Sequence, residues 1–153
     1  MIFINSYNQT LYLLKQNSIQ FKSKISTSCN GMGCKEGSFQ TPIGLHTITS
    51  KIGEGLAPGT LFKHRRPTNR IIDCIPRDDA DYITTRIIRL GGLENGINQN
   101  DNVDSYKRYI YIHGTPHKDK LGLSKSHGCI RMCDEDIVKL FKQVDVGTLV
   151  FID

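Results

Sequence analysis

Over most of this chain, apolar and polar residues alternate in pairs or short runs, and a helical period appears in one place. Met1 to Leu14 holds two short apolar runs around the polar pairs Asn5-Ser6 and Asn8-Gln9, which predicts a hairpin. Ser18 to Ser26 alternates, with Ile19, Phe21 and Ile25 on one face and Lys22 and Lys24 on the other or at the edge. Turn chemistry follows at Ser28 to Gly33 and again at Thr41-Pro42-Ile43-Gly44, with a strand expected over Leu45 to Ser50. Residues 52 to 82 are irregular and rich in glycine and proline, with short strands expected at Thr60 to Lys63 and Ile71 to Ile75. A loop-rich stretch of that length inside a compact domain is usually functional or folded over a site. Tyr82 to Leu90, the β-prone run Tyr106 to Ile112, and Thr148 to Ile152 read as further strands.

The helical stripe is Ile137, Leu140, Phe141 and Val144, one apolar face at i, i+3, i+4 and i+7. Asp134 is the expected N-cap, Glu135 and Asp136 suit the positive end of the helix dipole, and Gly147 ends the segment. No repeat, linker or low-complexity stretch divides the chain. The pattern predicts one mostly β domain over residues 1–153 with one short C-terminal helix.

A chain of 153 residues is long enough for a real core, since chains near that size bury roughly 68–70% of their unfolded surface. A hydrophobic fraction of 38% with 23% charged residues fits neither a disordered chain nor a collagen or coiled coil. Apolar runs are only a few residues long, against the roughly 20 a bilayer-spanning helix needs, so no membrane partner is expected. No basic, apolar leader is visible at the N-terminus, and the expected location is the cytoplasm; a periplasmic one requires a leader missing from this sequence. The net charge of +5 is a mild basic bias that keeps the protein soluble or favours an anionic substrate.

The five cysteines are Cys29, Cys34, Cys74, Cys129 and Cys133, an odd number that cannot close into a full disulfide set. Cys29, Cys34 and Cys74 read as structural. Chemistry concentrates around Cys129. A β-prone run delivers His113 at its end, where Gly114 lets the chain turn away, and Ser126-His127-Gly128-Cys129-Ile130-Arg131 closes the same window. Cysteine nucleophiles need a thiolate, a proton shuttle and donors for a developing oxyanion. Here Cys129 is the candidate nucleophile, its pKa lowered by a paired histidine. His113 is the natural base because it lies on a separate strand. His127, two residues from Cys129, shares the thiol's face if the backbone is extended.

Two other readings stand beside this one. A tetrahedral zinc set can be written from His113, His117, Cys129 and Cys133, although no tight turn links the two thiols. A non-catalytic basic β module binding anionic glycan or nucleic acid is the alternative of another class. It calls for basic residues interleaved with exposed aromatics, whereas the tyrosines here read as core or site wall. Arg131 either pins the loop through backbone carbonyls or holds a carboxylate with its planar fork. Lys63-His64-Arg65-Arg66 is either a solvated face or a rim attracting acidic peptides.

His113-Gly114-Thr115 followed by Ser126-His127-Gly128-Cys129-Ile130-Arg131 resembles the signature of L,D-transpeptidase (YkuD-type) catalytic domains, and Thr41-Pro42-Ile43-Gly44 is similar to the segment that opens that family's core. The resemblance implies a β-sandwich enzyme acting on peptidoglycan stem peptides, with no cofactor. By matching position it implies Cys129 as nucleophile, His113 as proton donor and acceptor, and the Gly114 carbonyl as the group orienting His113. It implies an oxyanion hole from the Gly128 and Cys129 N–H groups, with Ser126, His127 and Arg131 in the substrate-facing loop. The run Arg108 to Thr115 resembles a short cytosolic subgroup that trims recycled tetrapeptides. The resulting expectation is an L,D-carboxypeptidase acting as a monomer on murein tetrapeptides or muropeptides, with L,D-transpeptidation as the alternative.

Overall fold

The computed structural model describes residues 1–78 and 80–153. Ile2–Asn5 (β1) and Thr10–Lys15 (β2) form the N-terminal hairpin, which turns Ile2, Ile4, Leu11 and Leu13 inward. Ser18–Ser26 (β3) extends it. Between the Leu13–Phe21 and Leu14–Ile19 pairs β3 carries one extra residue, and the side-chain alternation flips there. Ile25 is therefore buried while Ile19, expected on the same face, is 59% exposed.

The remaining strands are Gly44–Ile52 (β4), Thr60–Lys63 (β5), Arg66–Ile71 (β6), Ile83–Gly92 (β7), Tyr111–Thr115 (β8), Ile130–Cys133 (β9) and Leu149–Ile152 (β10). They join in the order β4-β10-β1-β2-β3-β9-β8-β7, and β7 pairs back onto β4, so the sandwich closes on itself. The β5–β6 hairpin hangs from β7 outside that closure. One helix, Asp134–Gln143 (α1), packs Ile137, Leu140 and Phe141 against the core, each burial stabilising by about 1.5–3 kcal/mol. The mostly β fold with a short C-terminal helix is as expected from sequence.

Four local expectations are corrected. The strand expected at Ile71 to Ile75 lies earlier, at β6. It pairs with β5 through a two-residue turn at His64 and Arg65, both at positive φ without the Asn-Gly that signals such a turn. The run Tyr106 to Tyr109 is turn rather than strand. The Asp104 carboxylate accepts the N–H groups of Asn100 and Lys107 and winds the chain there, so β8 starts only at Tyr111. Asp134 is the first helical residue rather than the cap, because its carboxylate accepts the Thr84 hydroxyl at 2.7 Å and Cys133 takes the cap position. Cys29 and Cys74 are exposed and so are not core filler.

Strands β7, β8 and β9 lie side by side and set the two faces of the site. Ile88, Ile112, Ile130 and Met132 point into the main core. Alternate positions put Ile87 opposite His113, and His113 opposite Arg131, on the other face. A second apolar cluster of Phe62, Ile87 and Tyr111 covers that face, and Cys129 packs against it.

Candidate active site

His113 is fully buried on β8. Its Nδ1 lies 2.8 Å from the Gly114 carbonyl. A carbonyl only accepts, so Nδ1 carries the proton and Nε2 presents a lone pair. Nε2 is buried and has no hydrogen-bond partner among the described residues. Burial pushes the His113 pKa down, while the field of Asp81 and the Gly114 contact pull it partly back. The imidazole is therefore neutral at neutral pH and suited to accept a proton.

Gly114 has a steric reason as well as an orienting one. A Cβ there would run into the Asp134 carboxylate and the Thr84 carbonyl, so only glycine lets β8 lie this close to β7 and the head of α1.

Cys129 is half-buried at the entry to β9. Its sulfur lies 3.4 Å from the Tyr109 carbonyl, a contact in which the thiol donates. Burial pushes its pKa up to about 12, although the Tyr111 N–H pointing at the sulfur works the other way. The expected lowering by a paired histidine is thus corrected: in the free protein the apolar wall keeps Cys129 a neutral thiol. Cysteine and histidine rest uncharged, and a proton has to move when the sulfur attacks.

The loop before Cys129 is tied from several sides. Ser126 donates its hydroxyl to the Cys129 carbonyl at 2.6 Å, and Thr41 donates to the Gly128 carbonyl at 2.9 Å. Thr41 also accepts the Ser28 N–H, so the Thr-Pro-x-Gly segment clamps the loop. Gly128 sits at φ +122, which breaks the extended backbone. The extended backbone expected for His127 is therefore absent, and its ring meets Asp81 with 56% of the side chain exposed. Of the two expected oxyanion donors, the Gly128 N–H is spent on the Ser126 hydroxyl at 3.2 Å. The Cys129 N–H has no acceptor among the described residues.

Arg131 is 1% exposed, and its Nε lies 2.9 Å from a carboxylate oxygen of Asp81. It thus pairs with a carboxylate of the chain itself rather than with loop carbonyls, while its buried Nη1 has no hydrogen-bond partner among the described residues. Asp81 also meets His127 at 3.4 Å. Burial alone would raise the Asp81 pKa, but the fields of His113 and Arg131 and the contacts to Arg131 and His127 hold it below the usual carboxylate value. The segment bearing Asp81 is anchored by His117, 1% exposed, whose Nε2 lies 3.0 Å from the Ala80 carbonyl.

Asp81 is the site residue that sequence reasoning missed. The tetrahedral set is not assembled, because His117 faces Ala80 and Cys133 sits at the head of α1. Among the described residues no three His, Cys, Asp or Glu side chains converge as a metal ion needs. The tyrosines divide: Tyr111 is a buried wall, while Tyr106 and Tyr109 are exposed and stacked on Arg89 and Arg65.

Comparison with known proteins shows the family and the fold. The probable L,D-transpeptidase YbiS of Escherichia coli is 53% identical over 47 residues, covering 30% of this chain and 15% of that protein. The putative L,D-transpeptidase YqjB of Bacillus subtilis is 46% identical over 45 residues, 29% of this chain and 26% of that protein. The matches therefore span well under half the length of these relatives. The structure of L,D-transpeptidase 3 from Mycobacterium tuberculosis superposes with a TM-score of 0.59 at 19% identity, over 99% of this chain and 60% of that one, which shows the shared fold. The YkuD family, the L,D-transpeptidase catalytic domain, matches residues 1–152, from the first strand to the end of the last, and the chain belongs to that family.

Proposed function

We propose that this domain is a cysteine acyl-transfer enzyme cleaving the L,D peptide bond before the terminal D-Ala of peptidoglycan tetrapeptide stems, with water as the acceptor. The observation that carries the reading is a pair of groups: the thiol of half-buried Cys129 at the entry to β9 and the unpartnered Nε2 of neutral His113 on the adjacent strand. As Cys129 Sγ attacks the scissile carbonyl, its proton passes to His113 Nε2, and the Gly114 carbonyl steadies the imidazolium through Nδ1–H. The carbonyl oxygen takes the negative charge and accepts the Cys129 N–H. Collapse breaks the carbon–nitrogen bond, and His113 hands the proton to the departing amine of D-Ala. Water then attacks the thioester, again losing a proton to His113, and releases tripeptide and the thiol.

Two features support water over an amine: Cys129 as a residue is only partly buried, and Arg108 to Thr115 resembles the short trimming subgroup. A cytoplasmic place of action goes with that reading. The test is incubation with a murein tetrapeptide, with and without a D-amino acid, followed by mass analysis. Loss of D-Ala with uptake of water is expected. Exchange of D-Ala for the added amine in preference to hydrolysis makes the enzyme a transpeptidase, and an unchanged peptide removes the reading.

A further inference from the structure

We propose that Arg65 is the anion-recognising arm of the Cys129 site and holds a substrate carboxylate beside the carbonyl the thiol attacks, a proposal that rests on the reading of Cys129 as the nucleophile. Arg65 stands in the β5–β6 turn, where it and His64 adopt φ +66 and +49. Residues with a Cβ disfavour that conformation, so the turn is held by what its side chains reach. The Arg65 Nη1 donates to the Tyr111 hydroxyl at 3.2 Å, and its guanidinium carbon lies 4.6 Å from the centre of the Tyr109 ring. These two residues bracket the sulfur: the Tyr109 carbonyl accepts the thiol, and Tyr111 packs in the apolar cluster that Cys129 joins. The turn thus plants a fixed positive charge over the residues that hold the nucleophile.

Elimination among the neighbouring arginines points the same way. Arg131 is 1% exposed behind the site and ion-paired with Asp81, so it reaches no ligand from solvent. Arg108 donates to the carbonyls of Gly33, Cys34 and Gln40. Arg89 donates to the Tyr106 carbonyl and lies against the Tyr106 and Tyr109 rings. Arg65 is half-exposed and spends one donor on Tyr111, which leaves an edge of its planar fork for a ligand. Asp81, the acid facing this site, is engaged by Arg131 and His127 and offers Arg65 no competing partner. A carboxylate is the group that matches a guanidinium edge with two parallel hydrogen bonds. In a stem peptide it is either the carboxylate of the leaving terminal residue or that on the side chain of the preceding diamino acid.

The test uses two alkylating reagents of similar size, anionic iodoacetate and neutral iodoacetamide, with labelling read at Cys129 by mass. Their rate ratio cancels any change in how open or ionised the thiol is. Arg65→Gln should lower the iodoacetate-to-iodoacetamide ratio roughly three- to fivefold, and Arg65→Lys should recover part of it. Arg66→Gln, at an exposed neighbour, should change the ratio less than twofold. A ratio unchanged in Arg65→Gln, or one that falls as far in Arg66→Gln, overturns the proposal. Tetrapeptides amidated at the terminus or at the side chain then identify the carboxylate, as the one whose removal abolishes the Arg65→Gln effect on KM. If the effect survives both amides, the proposal fails. If no stem peptide turns over while the ratio still falls, the acyl-transfer reading is lost and the anion arm stands.

Discussion

Asp81 and Arg131 meet at 2.9 Å although one lies in an irregular loop and the other, 1% exposed, in the strand that follows Cys129. A guanidinium so thoroughly removed from water needs a counter-charge, because the cost of burying it alone runs to several kcal/mol. The pair therefore fixes two things together: the loop over the site, and the charge behind His113.

Replacing Asp81 with Asn should leave Arg131 buried and uncompensated and destabilise the fold by about 3 kcal/mol. Urea unfolding measures it. A loss under about 0.5 kcal/mol would show that solvent already neutralises Arg131.

The same residue sets an acid limit. The folded Asp81 pKa lies below its ordinary 3.8, so its contribution is fully present above that value and is lost as pH falls through the folded value. Wild-type stability should decline below about pH 4, and Asp81→Asn should flatten part of that decline. Parallel curves for the two proteins would exclude Asp81 as a source.

Cys129, with its pKa pushed up to about 12, should show iodoacetamide labelling that keeps rising through pH 9 with no plateau near neutrality. Cys129→Ser should fold and lose turnover. A labelling plateau between pH 5 and 7 would mean a thiolate–imidazolium pair in the free protein instead.

His113→Ala should lower turnover about 10²–10⁴-fold, the usual worth of a placed proton shuttle. His127, exposed and tied to Asp81, should cost far less when replaced by Ala. Equal losses in steady-state turnover of the tetrapeptide would place the two rings in equivalent roles.

Gly114→Ala should destabilise by about 1–3 kcal/mol, since its methyl meets the Asp134 carboxylate and the Thr84 backbone rather than a flexible chain end. Thermal unfolding measures this, and an unchanged midpoint would mean that β8 can shift freely.

Much of this arrangement is legible from residue order because it depends on local alternation. The histidine at the end of a β-prone run and the cysteine before Ile130 are placed by period two alone. Asp81 is not, since it is one of several acids in a polar stretch and its partner is far along the chain. A signal did exist: Arg131 stands between Ile130 and Met132, both fully buried, and an arginine flanked that way in a strand calls for an acid. Tyr106 to Tyr109 misleads for the opposite reason. Aromatic β-propensity there yields to one carboxylate, Asp104, and the rings find arginine faces outside the sheet. Thr41 is recognisable as part of a motif, but its work as a clamp on Gly128 depends on a contact that no spacing reveals.

The pairing of β1 with β10 in parallel, with β10 also holding β4, has a consequence for how the chain is made. Within this domain the first strand waits for the last. Until β10 leaves the ribosome, the inward faces of Ile2, Ile4 and Ile48 lack Val150 and Ile152, and the edges of β1 and β4 stay open to other chains. The β1–β2–β3 meander can form early because its contacts are local, but the closing step spans almost the whole sequence and carries the largest loop entropy. Nascent chains stalled short of β10 are thus the species that chaperones would need to shield.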